Sequence, residues 1–170
     1  MSYSRSPRPK LFGYVDSSYA NARGLRSTGG HLFYIGDKNR PVSWSSRKQP
    51  WVAQSTTEAE YIAMADAAKQ GIWLRHRLYT LGKKEVYNNA GTPLLEDNKG
   101  ALHLAENPAF HSRSKHFYVG LHALRRYRNH NEMIPTYCPT SEQLADGKTK
   151  ALDKNLFGKL VAASTLEAAE

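Results

Sequence analysis

A long helix that carries its own start signal constrains this chain more than any other stretch. Ser55-Thr56-Thr57-Glu58 is a capping box: the hydroxyl and the carboxylate three residues later satisfy amides that have no partner in the first turn of a helix. Behind it, Tyr61, Ala65, Ala68 and Ile72 recur at intervals of four, three and four, which is one face of an α-helix, and Gly82 stops it. The run is rich in alanine, so the helix can lie close against a sheet.

Strand-like runs surround this helix. Leu11 to Val15 is apolar and ends at Asp16; His31 to Ile35 and Pro41 to Ser46 follow. The intervening stretches Gly24 to Gly30 and Gly36-Asp37-Lys38-Asn39 read as turns, so the three runs predict an antiparallel meander. After the helix come a strand at Pro93 to Glu96 running into Asp97, and a short helix over Asn98 to Glu106 that stops before Pro108. A basic helix over Lys115 to Asn129 and a strand over Met133 to Tyr137 come next, with Pro135 favouring a sheet edge. Thr140-Ser141-Glu142-Gln143 is a second capping signal, predicting a last helix that includes Asp146. Strands followed by alternating helices and strands predict an α/β domain, a mixed sheet with helices packed on it.

Four acids fall where this layout brings chain segments together. Asp16 and Asp97 end the first and fourth strands; Glu60 lies in the first turns of the long helix, and Asp146 early in the last. If the first and fourth strands are parallel neighbours, Asp16 and Asp97 share one end of the sheet, with Glu60 and Asp146 converging from the flanking helices. Glu58 is spaced to cap, and Asp66 lies deeper in the helix with a structural or surface role. Four gathered carboxylates repel one another unless a cation intervenes. Hard oxygen ligands favour Mg²⁺ or Mn²⁺. Two such ions about 3.5–4 Å apart are the usual device for hydrolysing a phosphodiester.

The charge balance agrees with a polyanionic partner: 24 Lys and Arg stand against 15 Asp and Glu, a net charge of +9. The 170 residues suit one domain, read as residues 11–160, with residues 1–10 a flexible lead-in and residues 161–170 a tail. Cys138 is the single cysteine, which excludes an internal disulfide and a cysteine-rich zinc site. No apolar run approaches the ~20 residues that span a bilayer, and the lead-in lacks the apolar core of a signal peptide. An intracellular setting, a cytoplasmic particle or the nucleus, is expected.

A set of short strings follows in one order along the chain: Gly13-Tyr14-Val15-Asp16, Arg26-Ser27-Thr28-Gly29-Gly30, Val42-Ser43-Trp44-Ser45-Ser46-Arg47-Lys48-Gln49 and Ser55-Thr56-Thr57-Glu58-Ala59-Glu60-Tyr61. Glu96-Asp97-Asn98-Lys99-Gly100-Ala101, Asn107-Pro108, His111-Ser112-Arg113-Ser114-Lys115-His116 and Gln143-Leu144-Ala145-Asp146 continue it. Together they resemble the ribonuclease H domain of copia-type LTR retrotransposon polyproteins. The resemblance implies a ribonuclease H-like fold with a five-stranded mixed sheet. It implies a metal-binding quartet of Asp16, Glu60, Asp97 and Asp146 and hydrolysis of the RNA strand of RNA–DNA hybrids to a 5′-phosphate and a 3′-hydroxyl. It also implies a reverse-transcriptase domain in the parent polyprotein. The sequence departs from the family pattern at Tyr118, where an acid is common, at Gly120, where a basic residue is usual, and at Gly147, which replaces an apolar residue. A glycine inside a helix costs ~1 kcal/mol against alanine, so Gly147 is expected to loosen the segment carrying Asp146.

Telling RNA from DNA requires contact with the 2′-hydroxyl. Ser17, Ser18, Asn21 and Asn98 are candidates by position; Thr57 is a candidate for the nucleic-acid backbone, and Arg26, Arg47, Lys48, Arg113 and Lys115 for phosphates. His111, His116 and His122 match no zinc spacing. Trp44 and Trp73 are expected in the core, and Trp51, beside Pro50, on the surface. Two other readings stand beside the nuclease: a catalytically weak or inactive nucleic-acid-binding descendant of such an element, and an integrase or resolvase nuclease of the same broad fold.

Overall fold

A computed structural model describes residues 10–36, 41–84, 91–107 and 118–162. Three antiparallel strands, β1 (Leu11–Ala22), β2 (Arg26–Ile35) and β3 (Pro41–Lys48), lead into helix α1 (Thr56–Thr80). Strand β4 (Thr92–Glu96), helices α2 (Lys99–Glu106) and α3 (Tyr118–Asn129) and strand β5 (Met133–Tyr137) follow, then two 3₁₀ turns and helix α4 (Lys154–Ala162). The five strands form one mixed sheet in the order β3-β2-β1-β4-β5. β1 pairs antiparallel with β2 and parallel with β4, and β4 parallel with β5. Pro135 sits on edge strand β5, where its missing N–H breaks no ladder.

The Ser55 half of the α1 capping box forms as the sequence predicts, Glu58 N–H donating to Ser55 Oγ at 3.1 Å; the carboxylate half differs, Glu58 Oε2 accepting from Gln54 N–H at 2.7 Å, one residue before the cap, and not from a first-turn amide. At the other end Gly82 takes φ +74°, its N–H reaching Tyr79 O at 3.0 Å while Lys83 N–H reaches Leu78 O at 2.9 Å, a Schellman stop. The helix presses Tyr61, Met64, Ala67, Ala68 and Gly71 on Val15, Phe33, Leu94 and Met133. Gly71 makes the approach possible: a Cβ there would lie 2.6 Å from Met133 Cε. The opposite face of the sheet buries Tyr14, Leu32 and Tyr34 against Cys138, Ala145 and Leu160. Because both faces are covered, the first half of β1 is almost continuously buried.

Four expectations need correction. Gly24–Gly30 is not one turn: the turn occupies residues 23–25, and β2 begins at Arg26. Gly29 and Gly30 are strand residues with bulky neighbours, a Cβ on Gly30 falling 2.6 Å from Lys148 Cβ. β1 does not end at Asp16 but continues to Ala22; what ends near Asp16 is its pairing with β4, whose last register pair is Tyr14 with Leu95. The last helix does not include Asp146, which lies in the 3₁₀ turn Leu144–Lys148, after another at Thr140–Glu142. Gln143 holds this arrangement, its Nε2 donating to Val15 O at 2.9 Å and its Oε1 accepting from Ala145 N–H at 3.2 Å. Gly147 therefore does not loosen a helix; a Cβ there would sit 2.3 Å from Leu160 Cδ2, so glycine is what lets α4 close over the turn.

The fourth concerns the tryptophans. Trp44 and Trp73 are not core residues: they are 64% and 50% exposed. Trp44 stands on edge strand β3, which is nowhere fully buried, and Trp73 lies on the outer side of α1 under the Arg77 guanidinium. Trp51 is exposed as expected. Residues 1–9 of the predicted lead-in (1–10), residues 163–170 of the predicted tail (161–170), most of the Gly36–Asn39 turn and the start of the basic helix lie outside the described residues.

Candidate metal centre

The parallel pairing of β1 with β4 builds this site. Tyr14 is in register with Leu95, so two residues farther on Asp16 comes opposite Asp97. The first turns of α1 set Glu60 above them. One carboxylate oxygen from each of Asp16, Glu60 and Asp97 lies within 4.8 Å of the other two. Asp16 and Glu60 are buried and Asp97 half-buried.

Crowding and burial work together on these acids. Burial first, and then the Asp16 and Asp97 charges, push the Glu60 carboxyl up to about 9, opposed only in part by the polar groups of Ser17. Burial likewise raises Asp16 to about 7 against the opposing hydrogen bond from Thr149 Oγ1; the Asp146 and Asp97 charges raise it and the Lys150 charge lowers it. Glu60 Oε2 is buried with no hydrogen-bond partner. Such an orphaned oxygen, facing two more carboxylates, suits an all-oxygen divalent-cation site.

Asp146 approaches from the 3₁₀ turn, 2% exposed, and its Oδ1 pairs with Lys150 Nζ at 2.8 Å. Its charge acts on Asp16, but it stands outside the three-carboxylate group. The structure thus brings three of the four expected acids into direct convergence and sets the fourth beside them with a cationic partner.

Three neighbours were not singled out in the sequence. Thr149 hydrogen-bonds through Oγ1 to Asp16 Oδ2 and to Asp146 O. Lys150 lies four residues after Asp146, a spacing that could have flagged it. Glu96 is 0% exposed, with Oε1 accepting from Asn98 N–H at 3.0 Å and Oε2 without a partner. Burial drives the Glu96 carboxyl well above its ordinary range, and the Glu60 charge adds to this. Its place beside Asp97 was the only local signal.

The expected nucleic-acid contacts divide. Ser17 is buried next to Asp16, and Ser18 is half-buried behind it. Asn21 serves the fold, its Nδ2 donating to Thr149 O at 3.0 Å and its Oδ1 accepting from Thr28 Oγ1 at 2.8 Å. Asn98 caps α2 through Oδ1 to Ala101 N–H at 3.0 Å. Thr57 packs beside Gly100 near the α2 start. Arg26, Arg47 and Lys48 are exposed, as is His122; Arg113, Lys115, His111 and His116 lie outside the described residues.

Gly30 carries the Lys148–Thr149 segment directly above it. Gly30→Ala is expected to displace that segment at a cost of ~1–3 kcal/mol, lowering the thermal midpoint by roughly 5 °C. Circular-dichroism melting checks this, and an unchanged midpoint would contradict the packing described.

The sheet order, the helix over it and the carboxylates at the β1–β4 end define a domain of ribonuclease H-like fold. Solved structures agree. The N-terminal ribonuclease H domain of Rv2228c from Mycobacterium tuberculosis superposes with a TM-score of 0.58 at 12% identity, covering 91% of this chain and 96% of that one. LC11-RNase H1 in complex with an RNA/DNA hybrid gives 0.56 at 14% identity, covering 82% of this chain and 94% of that one. By sequence the chain is homologous to the Pol polyproteins of copia-type retrotransposons. It is 35% identical over 148 residues to the retrovirus-related Pol polyprotein from transposon RE1 of Arabidopsis thaliana, and 35% identical over 152 residues to that from transposon TNT 1-94 of Nicotiana tabacum. These matches cover 86% and 88% of the chain but only 10% and 11% of the relatives, so it spans about a tenth of their length. No protein-family model matches.

Proposed function

We propose that this chain is a metal-dependent endoribonuclease that hydrolyses the RNA strand of RNA–DNA hybrids, the role of such a domain during copying of a retroelement. The observation that carries this reading is the convergence of Asp16, Glu60 and Asp97 carboxylate oxygens within 4.8 Å of one another on a ribonuclease H-like fold. Asp16, Glu60 and Asp97 would hold Mg²⁺ or Mn²⁺, two ions in the working site, with Asp146 contributing from the 3₁₀ turn. A divalent ion held there supplies Lewis-acid chemistry that activates water and neutralises phosphate charge. Thr149 orients Asp16 through its hydroxyl, and Lys150 holds Asp146 beside the carboxylate group. Ser17 Oγ is buried, which leaves half-buried Ser18, two residues beyond Asp16 on β1, as the candidate for testing the sugar 2′-hydroxyl, and Arg26, Arg47 and Lys48 offer cations to flanking phosphates.

The test is cleavage of a labelled RNA–DNA hybrid beside duplex DNA and single-stranded RNA, with Mg²⁺ or Mn²⁺. Metal-dependent cuts in the RNA of the hybrid, leaving a 5′-phosphate and a 3′-hydroxyl, are expected. Binding of the hybrid with no cleavage under any divalent ion would establish the inactive descendant instead. Cleavage of duplex DNA in preference would point to an integrase-like nuclease.

A further inference from the structure

A second polar cleft lies on the flank of the domain, between edge strand β3 and the outer side of α1, with a volume of about 320 Å³. That is the low end of the range for small-ligand sites, ~300–1,000 Å³. Arg47 and Ser45 line it from β3, Lys69 and Trp73 from α1, and His31 from β2. Gln70 Nε2 donates to Ser43 Oγ at 2.9 Å across the cleft, so its two walls are tied together. No residue of the metal centre takes part.

Its chemistry is specific. Trp73 is a half-exposed indole, and the Arg77 guanidinium lies 5.3 Å from its ring centre. An exposed ring beneath Arg77, in a cleft also lined by Arg47 and Lys69, offers an aromatic platform and cations for phosphates, the combination by which single strands are held without base pairing. Asp66 also lines the cleft. A carboxylate repels phosphate but accepts hydrogen bonds from the amino group of a base such as cytosine, so the lining suits a base in the cleft with its phosphates toward the cations.

The cleft also begins close to the carboxylates. Arg47 pairs with Gly29 and Gly29 with Ser17, the residue after Asp16, so two strand spacings, ~10 Å, separate Arg47 from β1. From there the cleft runs down β3 through Ser45 and Ser43 and along α1 to Trp73, which is 13 residues, or ~20 Å, beyond Glu60. At ~3.4 Å per nucleotide of a stacked strand that distance is about six nucleotides. Removal of RNA from a hybrid leaves unpaired DNA next to the site of cutting.

We propose that the β3–α1 cleft binds single-stranded DNA, with a base stacked on Trp73 and phosphates held by Arg47 and Lys69. The choice of DNA rests on the ribonuclease reading; the cleft's affinity for a single strand does not, and is measured without cleavage. The probe is a dye-labelled oligo(dC), titrated with the whole chain in the absence of divalent ions and followed by fluorescence anisotropy. Trp73→Leu is expected to weaken binding by about 5-fold or more, while Trp51→Leu, outside the cleft, leaves it unchanged. Lys69→Gln should lower the slope of affinity against salt by about one contact. Equal affinities for Trp73→Leu and Trp51→Leu would overturn the proposal. A Trp73-dependent preference for oligo(rC) would overturn the choice of DNA. Cleavage of blunt hybrid by Trp73→Leu, measured in parallel, is expected to match the parent. If the parent itself fails to cleave, the ribonuclease reading falls while the oligo(dC) comparison still decides the cleft.

Discussion

Asp97→Asn is expected to reduce hybrid cleavage by on the order of 10³-fold or more, because on the proposed function it removes a carboxylate ligand from a centre where charge neutralisation would drive the chemistry. The same substitution is expected to make the metal-free protein more stable. Asp97 stands among the causes that raise Asp16, Glu60 and Glu96, so an uncharged amide relieves repulsion among buried acids. The helix start beside it is untouched, since Asn98 makes the α2 cap. Activity lost with stability gained separates a ligand role from a structural one: a merely structural aspartate would lose both. Single-turnover cleavage with Mn²⁺ and thermal melting without metal measure the two. Cleavage within ~10-fold of the parent would remove Asp97 from the site.

The second large effect is on stability against pH. The folded Glu60 carboxyl titrates near 9 and Asp16 near 7, both above their values in an unfolded chain. Between their unfolded and folded values the native state therefore binds more protons than the unfolded state, so stability falls as pH rises. Glu96, driven well above its ordinary range by burial and the Glu60 charge, acts in the same direction. His31 is driven below its ordinary 6.5 by burial, so its own effect falls mostly below the window from pH 7 to pH 9. For Lys150, burial works downward, yet its Asp146 partner and the nearby acids raise it overall, which keeps it charged in this window. The metal-free protein is thus expected to lose on the order of a few kcal/mol from pH 7 to pH 9, a fall in midpoint of roughly 5–10 °C. Mg²⁺ or Mn²⁺ should restore most of it, and more at pH 9 than at pH 7, because protons compete with the metal. Differential scanning calorimetry at the two pH values checks this; a midpoint that rises with pH without metal would contradict the carboxylate geometry.

Much of this was readable from local sequence, and the reason is physical. Period and capping are local: Ser55 and Glu58 start α1, Gly82 stops it, and the apolar runs of β1 and β4 place Asp16 and Asp97 at one end of a parallel pair. What escaped depends on contacts between distant segments. Gly29 and Gly30 look like a turn in isolation, yet are strand residues on which Ala63 and Lys148 rest. The 3₁₀ path of Leu144–Lys148 is fixed by Gln143 reaching Val15, 128 residues away in sequence. Trp44 and Trp73 have the composition of core residues, and only the edge position of β3 and the outer side of α1 expose them. Glu96 went unnoticed because alternation along β4 says which face it takes but not that Glu60 is near it.

Isothermal titration of the whole chain with Mn²⁺, run at one pH in two buffers of different ionisation heat, measures metal binding and proton release together. Saturable binding with net release of protons near pH 7 is expected, together with strong weakening in Asp97→Asn, since carboxylates held protonated by burial must ionise to take the ion. Binding that releases no protons, or that Asp97→Asn leaves intact, would show that Asp16, Glu60 and Asp97 do not form the metal centre.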